Sequence, residues 1–203
     1  MNLEQTIIQI AVLVLSVVLH EVAHGYAADS LGDRTARYAG RLTLNPIPHL
    51  DPVGSVILPF ILAVSGAPFL VGWAKPVPFN IHNISKKRWG PALIALAGPA
   101  ANLTLALVFA GLIQMSGVFG FSAIMLQFFG TVVIINVVLM VFNLIPVPPL
   151  DGHHVLFSIL SGPRYRNLRN FLRKNQLMMV LLALFIFWPM MTPLVGRIIE
   201  FLI

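Results

Sequence analysis

His20-Glu21-Val22-Ala23-His24 sets two imidazoles four residues apart with a carboxylate beside the first. On a helix such positions share one face, about 6 Å apart along the axis. Both imidazoles can therefore hold one tetrahedral zinc while the glutamate reaches a water at the metal. The chemistry this predicts is metal-assisted hydrolysis, with His20 and His24 as ligands and Glu21 as general base. Two histidines bonded to backbone carbonyls would have the same spacing without a metal. Burying them and a carboxylate in an apolar segment without partners is costly, however, which favours the metal.

A catalytic zinc takes three protein ligands and keeps one position open. The chain has no cysteine, so the third ligand must be His, Asp or Glu. The longer motif that ends in a third histidine fails, because Ala27 and Ser30 stand where it needs glycine and histidine. A glutamate from a following helix fails as well, since Glu4 and Glu200 lie near the two ends of the chain. Asp151 is the best candidate. It follows a long apolar stretch and closes Asn143-Leu144-Ile145-Pro146-Val147-Pro148-Pro149-Leu150, whose prolines force the backbone to unwind. Unwound backbone at membrane depth is tolerated only where protein buries it or water lines it, and a carboxylate there marks a functional site. The alternative is that Asp151 caps the helix after it. Asp51 has a similar setting and reads first as a helix cap, while Asp29 and Asp33 read as caps or partners of arginines. His49 and His82 read as loop histidines, and His153 and His154 as neighbours of the metal that gate or tune it.

The elements that must position these groups are membrane helices. Of 203 residues, 58% are hydrophobic and 10% charged, which excludes a soluble class and leaves room for about five spans of about 20 residues. The predicted apolar segments cover 7–28, 53–71, 91–115, 121–142 and 177–203 of a single membrane-embedded domain, 1–203. Segment 7–28 is too long for a signal-peptide core and lacks a basic start, so it reads as a retained helix. The 53–71 segment, interrupted by Pro59 and Gly66-Ala67-Pro68, either crosses or re-enters. Re-entry is preferred because it puts all basic segments on the cytoplasmic side, with the N-terminus outside. Residues 163–176 carry Arg164, Arg166, Arg169, Arg173 and Lys174 without an acid, the pattern of a helix lying on an anionic membrane surface. The net charge of +6 is dispersed between apolar stretches and does not point to nucleic acid. Short strands are expected at Tyr38–Leu44 and Lys75–Asn80, where an unwound substrate could pair by strand addition.

Together, the zinc motif, Ala97-Gly98-Pro99-Ala100-Ala101-Asn102 on a middle helix, and N-x-x-P-x-P-x-x-D-G over Asn143 to Gly152 resemble the site-2 protease family of intramembrane zinc metalloproteases. The likeness runs from about Leu13 to Leu160 and is closest to the minimal prokaryotic members, without peptide-binding or nucleotide-sensing domains. It implies an all-α polytopic protein of the cell membrane, with a three-helix catalytic core plus extra helices. It implies one Zn2+ held by His20, His24 and Asp151, Glu21 as base, and transmembrane proteins as substrates in the lipid bilayer. By similarity, Asn143 and Asn102 would donate hydrogen bonds near the substrate or oxyanion, though helix packing and capping explain both asparagines equally well. The competing class is a zinc-binding membrane protein without hydrolysis, a transporter or sensor, which would not need Glu21 beside the metal.

Overall fold

A computed structural model describes residues 3–64 and 74–203. Four of its helices are long and apolar enough to cross a membrane. We name α1 (Leu3–Ser30), α2 (Gly90–Gln114), α3 (Ala123–Asn143), the short α4 (Gly152–Ile159), α5 (Arg166–Lys174) and α6 (Gln176–Leu202). The predicted segment 53–71 enters as a wide-turned helix over Pro52–Ile57 and an α-helix over Leu58–Val64, and residues 65–71 lie outside the described residues. Its flanks meet, since the Lys75 N–H donates to the His49 carbonyl at 2.8 Å.

Small residues decide how closely the central helices approach. On α2, Gly98, Asn102, Ala106 and Ala110 recur every fourth residue and are buried, while Leu93, Leu96, Leu103 and Leu107 face outward. Lipid is as apolar as leucine, so contact between membrane helices comes from close packing of small side chains rather than from hydrophobicity. Ala106 and Ala110 thus meet Val133, Val137 and Val141 of α3, with Val195 and Leu202 of α6 completing the cluster. A wide-turned stretch over Ala183–Phe187 precedes Pro189 in α6, where the missing proline N–H breaks the regular ladder. Helix α1 runs antiparallel to α2, as His24 lies beside Ile94 and His20 beside Asn102.

The expected strands do not form among the described residues. Thr35–Tyr38 is a helical turn, followed by a tight turn through Gly40 at φ +65°. Lys75–Asn80 lies outside any helix or strand, and most of its amides are engaged or missing. Its Lys75, Val77 and Asn80 amides are bonded to the His49 carbonyl, the Glu21 carboxylate and the Asp33 carboxylate, and Pro76 and Pro78 have none. Few donors are left there for a ladder with another strand.

Asp33 fastens this face. Its carboxylate accepts from the Thr35 hydroxyl and amide, the Asn80 amide and the Asn83 side chain, joining the end of α1 to the chain that leads into α2. Burial pushes this carboxyl up, but the bonds from Thr35, Asn80 and Asn83 outweigh it and hold the group below its usual value of 3.8. The stabilisation is therefore complete above the unfolded value and is lost as pH falls through the folded one. Asp33→Ala is expected to cost about 2 kcal/mol of stability at neutral pH by removing these bonds and leaving part-buried donors unpaired. The gap to wild type, followed by unfolding in detergent, should narrow below about pH 4. A gap unchanged down to pH 3 would show that the carboxylate charge plays no part.

Candidate metal centre

The site lies in the last third of α1, where His20 and His24 share the face turned toward α2 and the turn after α3. The histidines are held through the ring nitrogen away from the centre. His24 Nδ1–H donates to the Ile94 carbonyl at 2.7 Å, and His20 Nδ1–H to Asn102 Oδ1 at 2.6 Å. The Ile94 carbonyl lies on the face of α2 turned toward α1, one turn before Pro99, and takes the ring N–H of His24 there. With Nδ1 protonated in each neutral ring, Nε2 carries a lone pair.

Those two Nε2 atoms stand 3.0 Å apart. Asp151 Oδ2 lies 3.1 Å from the first and 3.2 Å from the second, and has no hydrogen-bond partner although it is buried. Three lone-pair atoms converging in this way, with no proton to share, repel one another unless a cation lies among them. Ligand atoms of a tetrahedral zinc at about 2.0–2.1 Å are separated by about 3.3 Å. The triangle of His20, His24 and Asp151 comes within a few tenths of an ångström of that spacing, so these residues fit a zinc ion, and they form the one such group among the described residues.

The turn that delivers Asp151 explains the aspartate-glycine pair. A Cβ on Gly152 would lie 2.3 Å from the Leu144 carbonyl and 2.6 Å from that of Ile145, so the chain folds back on itself too tightly for any other residue. Asp151 sits at the N-terminus of α4 but makes no capping bond, and its side chain turns to the histidines. Gly98 serves the opposite wall. A Cβ there would come 2.5 Å from His24 Nε2 and 2.6 Å from His20 Nε2.

Glu21 lies next along α1, and its Oε2 accepts the Val77 N–H at 2.8 Å. That contact was not foreseeable, because a backbone donor leaves no mark on the sequence. His153 and His154 pack on each other with ring centres 3.9 Å apart, and His154 rests against Phe79. Burial and the adjacent His153 push His154 down to about 4, so it stays neutral at physiological pH.

Of the two asparagines expected near the oxyanion, Asn102 is fully engaged elsewhere. Asn102 is wholly buried, with its oxygen taken by His20 and its nitrogen donating to Asn136 at 2.8 Å. A side chain so engaged orients a histidine, and its amide is not turned to a substrate. Asn143 donates to the Leu139 carbonyl of its own helix at 3.0 Å. Asp51 accepts from the amides of Val53 and Gly54, as a helix cap does. His49 donates from Nε2 to the Thr43 carbonyl, and His82 is exposed on a loop.

A family model described as "Peptidase family M50" matches residues 8–126 and 118–187. Among similar proteins, "Putative zinc metalloprotease YwhC" of Bacillus subtilis (strain 168) is 37% identical over 190 residues, covering 88% of this chain and 83% of its own length. A relative named Rip2 under the same activity, from Mycolicibacterium smegmatis, is 33% identical over 167 residues, 80% of this chain and 61% of its own. Rip2 of Mycobacterium tuberculosis (strain H37Rv) is 30% identical over 148 residues, 72% and 55% respectively. The chain thus spans most of the Bacillus relative and less than two thirds of the mycobacterial ones. No solved structure matches it.

Gly98→Ala changes no candidate ligand yet places a methyl against both Nε2 atoms. It is expected to weaken zinc binding at least tenfold, an effect of about 1.4 kcal/mol or more, in a chelator competition. Gly111→Ala, on the same helix with open space around it, should bind as wild type does. Equal affinity in all three proteins would mean that the ion is held elsewhere.

Proposed function

The chain belongs to peptidase family M50, the site-2 protease family, as a multi-pass zinc metalloprotease of the membrane, and from that premise we propose that it hydrolyses peptide bonds of transmembrane proteins within or near the bilayer, with Glu21 as general base. The observation that carries this reading is the convergence of His20 Nε2, His24 Nε2 and Asp151 Oδ2 inside an apolar helix bundle, with a carboxylate one residue from the first ligand. In this reading His20, His24 and Asp151 hold one Zn2+, which supplies a Lewis acid and makes water acidic enough to attack at neutral pH.

The rest falls to the chain's own groups. Glu21 takes the proton of the attacking water and delivers it to the leaving amine, a role that needs a carboxylate fixed in direction but free on one oxygen. The Val77 amide supports this by engaging only Oε2. Asn102 and the Ile94 carbonyl keep both imidazoles turned so that Nε2 faces the centre. The unwound stretch from Leu144 to Asp151 provides the polar backbone that a water path at membrane depth requires. A substrate helix would have to unwind to present its carbonyl, and Asn143, near the end of α3, keeps a second amide hydrogen that could serve it.

Glu21→Gln separates hydrolysis from metal binding. Glutamine can still accept from Val77, so fold and zinc content should be retained. Cleavage of a transmembrane peptide substrate in detergent or liposomes should fall by about 10²- to 10⁴-fold. Undiminished cleavage would contradict the general-base role. Zinc-replete wild type that cleaves no transmembrane peptide across a broad screen would instead favour a non-hydrolytic zinc protein.

A further inference from the structure

Behind the metal centre lies a chain of buried amides of which the hydrolytic reading uses only Asn102. It rests on that reading only in taking His20 as a zinc ligand. Asn136 of α3 and Asn102 of α2 have no accessible surface, and Ser16 of α1 is nearly as buried. Asn136 Nδ2 donates to the Val132 carbonyl at 2.9 Å and to Ser16 Oγ at 2.9 Å. Asn102 Nδ2 donates to Asn136 Oδ1 at 2.8 Å, and Asn102 Oδ1 faces His20 Nδ1 at 2.6 Å.

The directions in this chain are forced from its far end. A backbone carbonyl can only accept, so the nitrogen of Asn136 must face Val132 and its oxygen must face Asn102. That oxygen accepts, so Asn102 must present nitrogen to it and oxygen to His20. An oxygen facing His20 Nδ1 requires the proton to be on Nδ1, which leaves the lone pair on Nε2, facing the metal centre. Reverse the Asn102 amide and the opposite tautomer is favoured, with a proton where the ion should bind. Asn102 alone does not set the direction, since an isolated amide turns over as readily as its neighbours allow.

We propose that Asn136 is a positioning residue for the zinc site: through Asn102 it fixes the tautomer of His20 from the third helix of the core. Ser16 contributes little to this, because a hydroxyl both donates and accepts and so would bond either end of the Asn136 amide. The direction comes from the Val132 carbonyl. The arrangement also explains two asparagines placed deep in apolar helices, where polar side chains are tolerated only with complete partners.

The test combines zinc affinity by chelator competition with imidazole 15N shifts of the metal-free full chain, His20 being assigned by comparison with His20→Gln. Asn136→Leu, similar in size, should lose about tenfold or more in zinc affinity, the scale seen when residues that orient a liganding histidine are removed. The metal-free protein should show His20 shifting from the Nδ1–H toward the Nε2–H form. Asn136→Ala carries the same expectation should the leucine protein fail to fold. In an Asn102→Ala background, Asn136→Leu should add nothing. Ser16→Ala should stay within a few-fold of wild type. Val133→Ala, which empties a wholly buried position of the same helix, should lower stability and leave zinc affinity alone. The proposal is overturned if Asn136→Leu keeps both affinity and tautomer, or if Val133→Ala loses zinc equally. Wild type that binds no zinc, or binds it as well after His20→Ala, would instead overturn the ligand reading beneath it.

Discussion

Three lone pairs held about 3 Å apart in an apolar bundle are the constraint on which the rest of this molecule depends. Left alone, two imidazole nitrogens and a carboxylate oxygen would turn away from one another, toward backbone or water. They are kept together because each ring is tied by its other nitrogen to α2, and because the turn after α3 leaves Asp151 no other buried partner. A divalent cation converts that mutual repulsion into attraction.

Helix α2 is the organising element, although it supplies no ligand. Its glycine at 98 opens the space for the Nε2 atoms, its carbonyl at 94 anchors His24, and its amide at 102 anchors His20. The small residues that continue down the same face bring α3 close enough for Asn136 to reach Asn102. On the polar side, the buried Asp33 carboxylate and the Glu21 carboxylate both hold the 75–80 stretch over the end of α1. Glu21 is in this way connected to the 75–80 loop.

Much of this was legible in the residues. The H-E-x-x-H spacing singles out His20, Glu21 and His24, and Asp151 is the best candidate for the third ligand because it closes a proline-broken stretch after a long apolar segment, with a helix cap as the alternative. Long apolar segments at about 7–28, 91–115, 121–142 and 177–203 anticipated α1, α2, α3 and α6 within a few residues. What escaped were contacts that depend on orientation. The type of Asn102 suits an oxyanion donor and a helix-packing residue equally, and only its burial between His20 and Asn136 separates the two. Lys75–Asn80 was read as a strand from its extended preference, but strand formation needs free donors, and side chains from α1 and Asp33 take them. The anchoring carbonyls of Ile94 and Val132 carry no residue signature at all.

The central claim is that Asp151, and not the similarly placed Asp51, completes the metal site with the two histidines. Zinc per chain, measured on detergent-purified wild type beside Asp151→Ala and Asp51→Ala, tests it most directly. The account predicts about one zinc in wild type and in Asp51→Ala, and a large loss in Asp151→Ala, since removing one of three protein ligands leaves too weak a site. Full zinc in Asp151→Ala, or its loss in Asp51→Ala alone, would contradict it.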